Sequence, residues 1–242
     1  MAEFEDRSHE IQDIELPPEG SAVQQAGTGG WWSAGDSAQI NAGTLIAFDQ
    51  SLSRQQEEDI SNSMLFAQLA ANAQADRFTQ GTKWLSTFTS VLGTVGWNIQ
   101  QFNVVPPVRI DPPVDWLDVV AKAYSGLPGA SAAARAMNAA AKLPAGGNAL
   151  AIWGNNGAQA TRGNFIVQTC SASKGDVKAD SAQVVYQLVQ ESDGFLSWAT
   201  YYEVATSSTR MELNEAVYAL VRKMIIDKLG DRPSRYVAPV PL

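Results

Sequence analysis

The chain has one cysteine, Cys170, and one histidine, His9, in 242 residues. A single thiol excludes an internal disulfide, and a single imidazole excludes multi-histidine metal sites. Charge is also scarce: Asp, Glu, Lys and Arg make up 17% of the residues, against about one quarter in ordinary globular proteins. A surface with few charges disperses less strongly, which favours association. There is no basic stripe with interleaved aromatics, so nucleic acid is not an expected partner. The N-terminal segment has no apolar run of the kind a signal peptide needs. The expectation is a protein made in the cytoplasm, with release by a signal-free route left open.

The chain is long enough to bury a sizeable core, and 45% of it is apolar. The net charge of −8 is concentrated in residues 1–20, where seven acids face Arg7. Residues 210–235 lean the other way, with six bases (among them Arg222, Lys223 and Lys228) against four acids. Residues 1–30, acidic and holding Pro17-Pro18 and Gly27-Thr28-Gly29-Gly30, read as an arm that docks elsewhere. Trp31-Trp32 marks the start of a folded unit spanning 31–230, and Thr44–Phe48 is a short candidate strand.

Residues 31–146 read as mainly helical. Ser53 and Gln56 form a potential capping box, followed by acids suited to a helix N-terminus. Apolar residues then recur at helical spacing through Phe78, and Gly81 offers a break. A second stripe, Trp84, Phe88, Val91, Val95, Ile99 and Phe102, predicts a helix over 82–102 that closes a hairpin with helix 53–79. Pro106-Pro107 ends it. Further helices are expected over 115–124 and over 131–142.

From Asn148 the pattern turns to β. Ala149–Trp153 is a candidate strand, and Phe165–Ser171, Val177–Val189 and Phe195–Val204 form an antiparallel meander. Lys174-Gly175-Asp176 and Ser192-Asp193-Gly194 are its turns. Asn214 caps a last amphipathic helix ending at Gly230, and a Pro-rich tail, 231–242, follows. The fold class is therefore α+β: a helical hairpin and further helices on an antiparallel meander, closed by a C-terminal helix.

No stretch carries a complete catalytic motif. Gly35-Asp36-Ser37 resembles the nucleophile motif of GDS-type esterases, three common residues long. That chemistry needs a base, and His9 lies in the arm. Gly27-Thr28-Gly29-Gly30 is followed by two tryptophans where a phosphate loop needs Lys and a helix start. Cys170 sits mid-strand without a neighbouring base and reads as a small core residue. Carboxylates remain: Asp115 with Asp118, or Glu191, Asp193 and Glu203, as the pair of a hydrolase. Solvated turn and helix-start acids explain these more simply. Neither metal nor cofactor is implied.

The unusual feature is the charge-poor block 60–108, in which Trp84–Val108 has no charged residue. Its length would span a membrane, but Asn98, Gln100, Gln101 and Asn103 crowd one end. Three readings follow: a core hairpin, a self-assembly or protein-binding surface, or a membrane-active hairpin 53–102 that inserts. Trp31, Trp32, Trp84, Phe88, Val91, Val95 and Trp97 are the candidate interaction residues. Arg222, Lys223 and Lys228 would receive the acidic arm of a neighbouring copy. The expected function is non-enzymatic self-assembly, the partner being another copy or another protein, with a membrane as alternative.

Overall fold

The apolar alternation in the C-terminal half builds the longest strands. A computed structural model describes residues 2–18, 36–192 and 198–242. Strands β4 (Arg162–Ser173), β5 (Asp176–Ser192) and β6 (Trp198–Leu213) form the antiparallel meander. Lys174 and Gly175 both take positive φ (56° and 91°), the conformation of a tight two-residue hairpin. The turn expected at 192–194 falls largely outside the described residues.

The meander is the centre of a larger sheet. Strands β1 (Ser37–Asn41), β2 (Thr44–Phe48), β3 (Trp97–Ile110) and β7 (Val237–Val240) complete it, in the order β3-β6-β5-β4-β2-β1-β7. Neighbours are antiparallel except β2 and β4. That parallel pair needs a long crossover, which the helices between β2 and β4 provide. The class is α+β.

Helices cover both faces. On one lie α1 (Ala2–Asp13), α2 (Arg54–Gln74), α3 (Gly81–Thr94) and α7 (Glu215–Leu229). On the other lie α4 (Trp116–Ala123), α5 (Ala130–Ala140) and α6 (Asn148–Asn156). Strand residues alternate between the two cores: Val177 and Ala179 pack with the first set, Ala182 and Val184 with the second. Local signals place the helix ends. Ser53 and Gln56 exchange both bonds of the capping box, Asn214 accepts from the Val217 amide at 3.1 Å, and Gly230 ends α7 at φ 56°.

Four expectations are corrected. The helix expected over 82–102 ends at Thr94, and the chain re-enters the sheet as β3. Gly96, at φ 109°, makes the turn against the start of α7, where any side chain would meet Val217 and Asn214. The β-branched run beyond it then gains a ladder with β6. Ala149–Trp153 is part of α6, because a short apolar run has no decisive period. The tail is a short helix, α8 (Pro233–Tyr236), leading into the edge strand β7. The mainly helical region thus gives three strands to the sheet.

The fourth correction concerns the acidic arm. Residues 2–13 are helical and docked on their own chain, with Ile11 fully buried in the first core. Lys228 of α7 donates to the carbonyls of Ile11, Gln12 and Ile14 at 2.9, 2.6 and 2.7 Å. Arg7 in turn donates to the carbonyls of Gly93 and Thr94 at the end of α3. The contact runs through backbone carbonyls, with Asp13 adding a favourable charge beside Lys228.

Candidate interaction edge

Most of the expected interaction residues are core. Trp84, Phe88, Val91, Val95 and Trp97 are all buried in the first core, where α3 packs against α2. Trp84 stacks on Phe88 at 5.1 Å and donates to Asn72 at 2.6 Å, and Trp97 donates to Ser63 at 3.0 Å. The apolar face of the hairpin is therefore spent inside its own fold. Among the described residues no helix is long and apolar enough to cross a membrane. Trp31 and Trp32 lie outside the described residues.

The basic candidates are also engaged within the chain. Arg222 makes a two-pronged bond to the buried Asp59, at 2.8 and 2.7 Å. Lys223 pairs with Asp227 on the exposed side of α7 at 2.7 Å. Lys228 is spent on α1, and burial moves its ammonium down from the usual lysine range.

The carboxylates do not converge. Glu203 lies opposite Gln187 and Glu191 opposite Ala199, four ladder positions apart, or about 13 Å along the strand. Asp193 is outside the described residues. Asp115 is used as the N-cap of α4, accepting from the amides of Leu117 and Asp118, and Asp118 pairs with Lys122 at 2.6 Å. Cys170 is buried, its thiol pushed up to about 12 by desolvation. Among the described residues, no three His, Cys, Asp or Glu side chains come together as a metal could use them.

What stands out is β3. It pairs with β6 from Trp97 opposite Leu213 to Ile110 opposite Tyr202, and its other side ends the sheet. Bulges between Ile99 and Gln101 and between Val105 and Val108 divide it. The register assigns its faces. Phe102 and Val104 oppose Thr209 and Ser207, on the side of Met211 and Leu213, facing the first core layer. Val105 and Val108 oppose Thr206 and Val204, on the second face. Ile99, Phe102, Val104, Val105 and Val108 are between 36% and 63% exposed. Among the described residues nothing pairs with this edge, and apolar side chains stand exposed on both of its faces.

Beside this edge, on the second face, lies a cleft of about 360 Å³ between β3 and α4. Val105, Val108, Val119 and Val204 form its apolar walls, with Asp115 and Lys122 at its rim. The cleft continues the apolar surface of β3 towards the helical layer.

A second cluster is buried and closed. On the first face Gln68 accepts from Arg77 at 2.9 Å, Asn164 donates to the Arg77 carbonyl at 2.9 Å, and Gln183 donates to Asn164 at 2.7 Å. The Arg77 guanidinium lies 4.1 Å over the Trp84 ring, and burial lowers its pKa to about 9. It packs so closely on Gly43 that a Cβ there would sit 2.2 Å from it. That leaves no space for a ligand.

The edge was legible in part. Adjacent prolines inside a β-branched run mark an edge strand, and Pro106-Pro107 follow Val104-Val105 in that way. Reading them as a helix stop hid Asn103, Val104, Val105 and Val108. No protein-family model matches the chain, and a search of curated proteins returns no relative.

Proposed function

We propose that this is a non-catalytic, self-associating protein whose copies meet through the free edge of β3. The observation that carries the reading is that a 14-residue edge strand has no charge from Trp97 to Val108 and is exposed along almost all of that length. Edge strands present unpaired N–H and C=O groups, and soluble proteins usually guard them with charges, brevity or a covering element. Among the described residues only the bulges and Pro106-Pro107 interrupt the edge. Docking of the acidic arm on a neighbour is not needed, because Lys228 is already satisfied by α1 of its own chain.

Sedimentation over a wide concentration range tests the reading. Wild type is expected to associate reversibly, and Val104→Lys, which puts a charge on the apolar edge, is expected to stay monomeric. Because the edge is uncharged, association should persist in high salt, whereas exchange of arms would weaken with screening. A wild type that stays monomeric at the highest concentrations, or a Val104→Lys variant that associates equally well, would overturn it.

A further inference from the structure

The two ends of the sheet are unequal. The β7 edge has four residues and includes Pro239, which has no N–H to donate. Head-to-tail addition of β3 to β7 would therefore gain few bonds, and an open-ended stack is disfavoured. A closed pair of identical edges remains, related by a two-fold axis perpendicular to the sheet. Such an axis makes the strands antiparallel and keeps each helical layer on its own side.

The bulges then select a register. The ladder runs without irregularity from Gln101 to Val105. An antiparallel partner can use all five of these residues on both copies in only one alignment, the one centred on Asn103. Sliding by two residues brings a bulge into the pairing, and sliding by one would oppose residues from different faces.

We infer that the occupant of the β3 edge is the β3 edge of a second copy, antiparallel, with Asn103 opposite Asn103. This rests on the self-association reading above and adds the partner and its alignment. Phe102 then faces Val104 of the other copy twice on the first face, a pairing of aromatic with β-branched side chains that stabilises sheets. On the second face Gln101 faces Val105, and the two Asn103 amides meet, each able to donate and accept. No charge meets a like charge. Arg109 lies beyond the second bulge, bound to Asp111 at 3.0 Å and stacked 4.3 Å from Tyr201. Five residues per copy place the contact at the small end of specific interfaces, below about 1,200 Å². The pair should form and dissociate with concentration.

Cysteine cross-linking decides the register, because the native thiol, Cys170, is buried. Opposite Cα atoms in an antiparallel pair stand about 4.5–5.5 Å apart, within disulfide reach. Asn103→Cys should therefore give a covalent dimer on mild oxidation. Val105→Cys should not, since the two copies of that position lie about 13 Å apart along the strands. Mixed Gln101→Cys and Val105→Cys proteins should link to each other. All three positions are exposed, and circular dichroism checks that the fold is kept. If sedimentation shows a dimer but Val105→Cys links to itself and Asn103→Cys does not, the register is overturned while edge pairing survives. A dimer in which none of these positions links overturns the β3 interface altogether. A monomer at every concentration overturns both the register and self-association.

Discussion

Replacing Arg77 by methionine should leave the protein as stable as the wild type or more so, although the residue is in the core. Arg77 is 4% exposed, its Nε has no acceptor among the described residues, and among them no carboxylate pairs with it. What it contributes is a bond to Gln68 at 2.9 Å, a long one to the Gly43 carbonyl at 3.4 Å and the stack on Trp84. The good bond contributes about 1.5–3 kcal/mol and the stack about 0.5–2 kcal/mol. Against them stands the desolvation of an ion with no counter-ion, several kcal/mol. Removing Arg77 strands neither acceptor. The Gln68 oxygen still receives the Gly43 amide at 3.2 Å, and the Gly43 carbonyl still receives the Ile166 amide at 3.0 Å. Methionine fills most of the same volume, so the net change should fall between about zero and a gain of 3 kcal/mol. Urea unfolding at neutral pH measures it.

The pH profile carries a second signature. Burial lowers the folded-state pKa of Arg77 to about 9, below its unfolded value, so the charged form is the one penalised. The penalty is full below pH 9 and falls as the pH rises through it, so the advantage of Arg77→Met should shrink in alkaline buffer. Gln68→Met is the contrast. It removes the acceptor from the buried cation and should cost about 3–5 kcal/mol. An Arg77→Met variant that loses more than about 2 kcal/mol would refute the reasoning, because the guanidinium would then be a net stabiliser.

Three further outcomes are expected. Glu57 is buried on α2, and desolvation, together with the charge of Glu58, raises its pKa. Its ionised form is penalised in the fold, so stability is lost as pH rises through the folded pKa. Glu57→Gln should be the more stable protein at neutral pH and match wild type in acid, whereas an equal gap at both pH values would contradict the cause. Cys170 should react with an aromatic disulfide reagent only as fast as the chain unfolds, the rate following urea concentration; prompt labelling of native protein would show that it is not enclosed. Lys228→Met removes three charge-assisted bonds, two to the end of α1 and one to Ile14, and should speed amide exchange of residues 2–14 at least about ten-fold, with β4–β6 unchanged. Unaltered exchange in α1 would mean that Ile11 alone holds it.

Where the sequence was read correctly, the signal was local. The meander, the turn at Lys174-Gly175, the capping box at Ser53, the cap at Asn214 and the stop at Gly230 each depend on residues within a turn or a few ladder positions. Errors arose where one pattern allowed two structures. Trp84 to Phe102 carries an unbroken helical stripe, yet Ile99 and Phe102 belong to a strand, because a ladder with β6 outweighs a weak local preference. The acidic arm was read as docking by charge, whereas its described contacts run through carbonyls that Lys228 and Arg7 bind, which a count of charges does not reveal.

From the sequence alone come the α+β class, the single buried thiol, the absence of a charged stripe and the charge-free run Trp84–Val108, since composition and short-range periodicity determine them. Tertiary structure divided that run between a helix with one buried face and an exposed strand, and docked residues 2–14 on α7. Only long-range pairing determines which strand ends a sheet, and an edge exists only once its neighbours are in place. That is why Trp84 of α3 became core and the segment after Trp97 became an exposed edge strand.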